Sequence, residues 1–334
     1  MLLTLFSGHN EAMLFGVFGA IIILFLLVDL GLFHKKDQKI SQRDALIQTL
    51  FWIAVSMGYA ALIYFFGEGP ESTWEFMTAY VTEKALSVDN IFVILLILRF
   101  FNVKEEYYHS VLFWGILGAI VFRAIFIFVG AMLITQFHWI LYFFGAFLVY
   151  SGIKIFSEEE DMDVEPGSNP LVKFVKKVFP MTSKDHGGKF FTKENGKRVF
   201  TPLFLVIVLI ESTDLIFAVD SIPAAFAITQ NEFVIYTSNI FAVMGLRAMF
   251  FLLANILDKF YLLQKGLSIV LIFIGGKMLM EWSIVQDAIT YVLPIEHAHV
   301  PTFWSFGIIL GLLFGSILLS LVFPKKPEMV DSLD

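Results

Sequence analysis

The chain has 334 residues, of which 58% are hydrophobic and only 16% charged, and its mean hydropathy is +0.79. A soluble domain is about a quarter charged, and a chain this size cannot wrap so large an apolar fraction in polar surface, so the composition excludes a soluble globular enzyme and points to a polytopic membrane protein. The formal net charge of −7, with no basic domain, excludes a nucleic-acid partner, and the absence of cysteine excludes disulfides and thiolate ligands, leaving oxygen and imidazole as the only metal donors.

In chain order, Met1 to Asn10 lacks the basic stretch and small-residue cleavage site of a signal peptide, so the first helix is expected to be retained. A membrane span needs about 20 mostly apolar residues. Nine are predicted, at 12–33, 46–66, 80–98, 110–134, 137–156, 202–228, 234–257, 264–282 and 303–323. The expected fold is thus an all-α polytopic membrane protein. Residues 1–156 carry spans 1–5, 157–201 form a loop, and 202–334 carry spans 6–9.

The loops sort by charge. One side receives Lys35, Lys36, Lys39 and Arg43, then Arg99 and Lys104, loop 157–201, Lys259 and Lys265, and the tail with Lys325 and Lys326. The other receives the N-terminus, Gly67 to Ala79, Thr135 to Phe137, Thr229 to Glu232 and Ser283 to Thr302, with no Lys or Arg. The positive-inside rule places the first set in the cytoplasm, so the N-terminus is expected outside and the C-terminus inside.

The cytoplasmic loop reads in three parts. Glu158 to Asp163 is an acidic run, solvated or metal-sensing. Leu171, Phe174, Val175, Val178 and Phe179 share one helical face, with Lys173, Lys176 and Lys177 elsewhere, which predicts a short helix on the inner leaflet. Asn195-Gly196 between short apolar runs predicts a type I′ hairpin.

Two acidic stretches say nearly the same thing. Glu83-Lys-Ala-Leu-Ser-Val-Asp89-Asn90-Ile91 and Asp214-Leu-Ile-Phe-Ala-Val-Asp220-Ser221-Ile222 each place an acid, five residues, then Val-Asp-[Asn/Ser]-Ile. Two further landmarks recur in order, Phe122-Arg123-Ala124 with Leu246-Arg247-Ala248 and Ser151-Gly152-Ile153-Lys154 with Ile274-Gly275-Gly276-Lys277. The separations nearly agree: 131 positions from Asp89 to Asp220, 124 from Arg123 to Arg247 and 123 from Lys154 to Lys277. Spans 3–5 (80–156) therefore match spans 6–8 (202–282). Three spans per copy invert the second copy, giving an inverted-topology repeat with a site expected near the midplane.

Carboxylates buried in lipid-facing sequence are costly and need a reason to be there. Asp89 and Asp220 form the central pair, whose charge matches a divalent cation. Asn90 and Ser221 add neutral oxygens of the kind that hard ions prefer. Glu83, Glu211 and Asp214 form a second tier. Six residues turn a helix through about 600°, so Glu83 and Asp89 lie about 120° apart, as do Asp214 and Asp220. The outer acids are then entry ligands or proton carriers, or the helices unwind. Pro223, which cannot bond the Val219 carbonyl, favours local unwinding in span 6 or is a packing kink.

Arg123 and Arg247 either hold the acids or lock helices together. Lys154 and Lys277 are expected to snorkel, Asp29 to be interfacial or gating, and Asn239 and Asn255 to join helices. Glu296, His297 and His299 lie in an external loop that is solvated or catches metal. No nucleophile–base arrangement, nucleotide loop or cofactor motif is present, so no enzyme activity and no bound cofactor are expected.

On these motifs, together with Glu211-Ser-Thr-Asp214 and Leu246-Arg247-Ala248-Met249, the chain resembles the TerC family, named for tellurium resistance, and most closely its Alx-type bacterial branch. The similarity covers about residues 12–282, with no departure at the motif acids. The resemblance implies an inner-membrane protein grouped with LysE-like transporters and a role in metal-ion homeostasis, chiefly Mn²⁺ export. The expected partners are a divalent cation and protons as exchanged ions, and the lipid bilayer. The alternatives are a membrane scaffold or assembly factor whose acids only lock helices, a Ca²⁺ or other divalent-cation transporter, and a passive channel.

Overall fold

The computed structural model describes residues 9–32, 41–157, 175, 177–182, 187–194, 196–254, 260–282, 285–286 and 300–323. The acidic run 158–163, Leu171, Lys173, Phe174, Lys176, Asn195, Asn255, the residues 296–299, and the expected basic residues Lys35, Lys36, Lys39, Lys259, Lys325 and Lys326 lie outside the described residues, as does the Asp29 side chain.

The described chain is helical apart from one hairpin. Its elements are α1 (His9–Leu32), α2 (Gln42–Phe66), α3 (Pro70–Phe100), α4 (Glu105–Gln136), α5 (Ile140–Ser157), β1 (Phe191–Glu194), β2 (Lys197–Phe200), α6 (Pro202–Ile228), α7 (Glu232–Met244), α8 (Leu246–Leu253), α9 (Leu263–Met280) and α10 (Thr302–Val322). Local chemistry sets several starts. Ser41 caps α2 by accepting the Asp44 N–H at 3.1 Å, and Asn231 caps α7 by accepting from Phe233 and Val234 at 3.0 and 3.3 Å. Pro70 and Pro202 open α3 and α6, where the missing N–H costs nothing.

Among the described residues six helices, α2, α4, α5, α6, α9 and α10, are long and apolar enough to cross a membrane, and the α7–α8 pair makes a seventh if counted as one bent span. Length and composition thus carry six or seven of the nine expected spans. α1 contributes a shorter apolar stretch, Ala12–Leu26. α3 falls short because it is rich in polar residues, and Ser72, Thr78, Thr82, Glu83, Ser87 and Asn90 are buried inside the protein. The outward faces are apolar, with Phe65 73%, Ile216 67% and Phe314 61% exposed, as a lipid-facing surface requires.

Two local expectations are corrected. α6 runs unbroken through Pro223 from Pro202 to Ile228, so span 6 does not unwind there. The break falls in span 7, expected as one helix over 234–257, which instead bends by 41° between α7 and α8. Gly245 occupies the bend because a Cβ there would meet Lys84 Nζ at 2.5 Å and Trp52 Cβ at 3.2 Å. The Lys84 ammonium donates to the Ala242 carbonyl at 2.8 Å, the oxygen that the Leu246 N–H takes in an uninterrupted helix.

The α3 helix packs against α6 and α7, α4 packs against α6, and α5 lies along α9. The α5–α9 crossing is close because small residues line it. A Cβ on Gly275 would sit 2.6 Å from the Gly145 carbonyl, and one on Gly152 would sit 2.7 Å from the Ser268 carbonyl. Beyond the spans, β1 and β2 pair antiparallel with Phe191 opposite Phe200, forming the expected hairpin. Of the face expected on the inner leaflet, Val175 and Phe179 pack into the core cluster that includes Val111, Leu203 and Val206, while Val178 is 53% exposed.

Candidate functional site

α3 and α6 cross with their motif acids facing into the molecule, and a cavity opens between them. Glu83, Asp89 and Asn90 of α3, Arg123 of α4 and Asp220 and Ser221 of α6 line it, with Leu86, Leu267 and Leu271 among its apolar walls. It offers about 40 Å³ to the centres of water-sized occupants. One water needs ~10–15 Å³ on that measure, so the space suits roughly three waters or one partly hydrated cation.

The cavity is short of hydrogen-bond partners. The Asn90 side-chain oxygen and the Ser221 hydroxyl are both buried and have none. Buried oxygens are normally satisfied, so two orphans on one void point to something that fills it. Asp220 accepts a 2.9 Å bond from Ser151 of α5. Sequence reasoning used Ser151-Gly152 only as a repeat landmark and missed this contact; the signal was the single serine in span 137–156.

The second-tier acids go elsewhere. Arg123 of α4, 1% exposed, donates to Glu83, to Asp214 at 3.2 Å and to Asn239 of α7 at 3.2 Å. One guanidinium therefore ties an acid of α3 to an acid of α6, and Asn239 joins helices as expected. Asp214 also accepts from Asn90 at 3.1 Å and does not line the cavity. Glu211 lies apart, packed against Gly118 of α4, with both carboxyl oxygens buried and without a hydrogen-bond partner.

The repeat-related cations are not equivalent. Arg247 lies 3.2 Å from His109 Nε2 of α4, whereas Arg123 holds Glu83 and Asp214. Lys277 is 9% exposed, so its side chain is buried rather than snorkelling. Among the described residues no group of three or more His, Asp or Glu side chains stands together as a preformed metal cluster. Of the three carboxylates that line the cavity, Glu83 is paired with Arg123, which leaves Asp89 and Asp220 with neutral oxygens as its donor set, and that suits a hard cation with part of its water shell retained.

Residues 68–328 match the family described as "Integral membrane protein TerC family". An "Uncharacterized membrane protein" of Myxococcus xanthus is 40% identical over 327 residues, covering 98% of both chains. A "Putative membrane-bound redox modulator Alx" of Photorhabdus laumondii is 40% identical over 322 residues, covering 94% of this chain and 96% of its own. The protein of the same description in Escherichia coli is 38% identical over 317 residues, covering 92% and 94%. No solved structure matches. With matches that run nearly end to end, this chain is an integral membrane protein of the TerC family.

Proposed function

We propose that the chain carries a divalent cation, Mn²⁺ in the first instance, out of the bacterial cytoplasm across the inner membrane in exchange for protons. One observation carries this reading: Asp89 and Asp220, from separate motifs, share a void with the orphaned oxygens of Asn90 and Ser221. A charge of +2 that enters such a void keeps its neutrality with two carboxylates and replaces lost water with amide and hydroxyl oxygen.

Nine spans, with the N-terminus outside and the C-terminus in the cytoplasm, and an inverted repeat of spans 3–5 on spans 6–8 belong to the same proposal. Two packing relations support the repeat. α3 packs on α7 as its counterpart α6 packs on α4. The close approach of Gly145 to Gly275 becomes that of Ser268 to Gly152 when each residue is exchanged for its counterpart at the Lys154-to-Lys277 separation. Rocking of one copy against the other then exposes the cavity alternately to each side.

Export works against the membrane potential. Moving a charge of +2 outward costs roughly 4.6 kcal/mol per 100 mV, and the sequence has no nucleotide motif to supply it. Protons entering in exchange would supply it, because proton and metal compete for the same carboxylate oxygens. Purified protein in liposomes should move Mn²⁺ faster when an opposing pH gradient is imposed. Flux indifferent to the gradient would remove proton coupling, and no saturable flux of any divalent cation would remove the transporter.

A scaffold role, in which buried acids only lock helices, draws support from Glu83 and Asp214, which Arg123 ties together. It leaves the Asp89–Asp220 void without a purpose. The Photorhabdus laumondii and Escherichia coli relatives carry the description of a redox modulator. This chain has no cysteine, so a redox role here would have no thiol of its own to run through.

A further inference from the structure

We propose that Asp214 is a positioning residue for the cation site, not a ligand: it turns the Asn90 carboxamide so that its oxygen, and not its NH₂, faces the cavity. The inference rests on reading that cavity as the cation site. Asp214 Oδ1 accepts from two donors, Asn90 Nδ2 at 3.1 Å and Arg123 Nη2 at 3.2 Å. A carboxylate held by a guanidinium is ionised and only accepts hydrogen bonds. The Asn90 amide must therefore offer it the NH₂ group, which sends the amide oxygen the other way. That oxygen is the one that is buried without a partner, on a residue that lines the cavity.

The orientation matters because the two ends of a carboxamide have nearly the same shape and opposite polarity. Turned by half a rotation, Asn90 would present N–H groups to an incoming cation and repel it. Asp214 is itself anchored, since Arg123 also holds Glu83 and Asn239. The polarity of one wall of the site is thus set from α4 and α6, through a carboxylate that never touches the void. Groups that orient a ligand without touching the metal typically contribute about 10–100-fold to metal affinity.

The test is Mn²⁺ binding to the purified full chain by titration calorimetry. Wild type should bind, and Asp89→Asn and Asp220→Asn should not; binding that survives both changes, or none by wild type, overturns the cavity reading and this inference with it. Within a cavity that binds, Asp214→Asn keeps an acceptor oxygen for Asn90 and Arg123, so its Kd should stay within about threefold of wild type. Asp214→Ala and Asn90→Ala should each weaken binding about tenfold, and the double variant should be no weaker than Asn90→Ala alone. Loss of binding in Asp214→Asn to the level of Asp89→Asn would make Asp214 a ligand or an essential charge. Additive losses in the double variant, or wild-type affinity in Asp214→Ala, would equally overturn the positioning role. If Asp214→Ala does not fold, the contrast between a weakened Asn90→Ala and an intact Asp214→Asn decides, and equal effects of the two overturn it.

Discussion

The inner acids, Asp89 and Asp220, and the outer acids, Glu83 and Asp214, stand six positions apart in their motifs and have opposite surroundings. The inner pair opens on a void shared by α3 and α6. The outer pair is drawn onto one side of Arg123. Helix phase separates them: six residues rotate the backbone to about 120° short of two full turns, so each motif sends one carboxylate to the void between the helices and another to the Arg123 guanidinium. On the proposed function, a buried acid thus serves as donor to a cargo in one place and as counter-ion to a fixed guanidinium in the other.

The contrast can be broken at either end. The largest expected effect is at the inner pair: Asp89→Asn or Asp220→Asn should abolish Mn²⁺ flux in liposomes while the protein still purifies as a folded species. Normal flux in either variant would remove that residue from the site. Next is the outer pair. Arg123→Met leaves Glu83 and Asp214 buried without their cation, a change that costs about 3–5 kcal/mol, and thermal unfolding in detergent should show it as a large drop in Tm. An unchanged Tm would mean that the two acids need no such partner.

Two smaller tests sharpen the frame around these pairs. Gly275→Leu drives a side chain into the Gly145 carbonyl and the Leu148 side chain, and should cost about 1–3 kcal/mol of stability by prying α5 from α9. Stability equal to wild type would show that this crossing is not as tight as drawn. Ser151→Ala removes one hydrogen bond from Asp220 and leaves the void intact. It should shift the Mn²⁺ affinity by about 1 kcal/mol, several-fold, without ending transport; a complete loss would make Ser151 a ligand in its own right.

Much of this was legible along the chain. Long apolar runs marked where helices stand, Asn195-Gly196 marked the hairpin, and the doubled Val-Asp motif marked Asp89 and Asp220. What escaped was set by contacts between distant segments. Within 234–257 only Gly245 hints at a bend, and a lone glycine does not say that Lys84, from another helix, reaches the Ala242 carbonyl there. Pro223 looked like the breaker, yet its neighbours Ile222, Ala224 and Ala225 are buried, and α6 continues as one helix through it. The choice of Arg123 over Arg247 as partner of the acids depends on how α4 lies against α3 and α6, which the repeat pattern, treating both arginines alike, does not specify. α3 hid from a purely apolar criterion because its polar face is turned inward around the site.

The most direct test of the central claim is an anomalous difference map from crystals of the protein grown with Mn²⁺. The account predicts one dominant peak in the void between α3 and α6, about 2.0–2.6 Å from carboxylate oxygens of both Asp89 and Asp220 and facing Asn90 and Ser221. A peak elsewhere, against Glu211 or at the Arg123 cluster, with the void left empty, would contradict it.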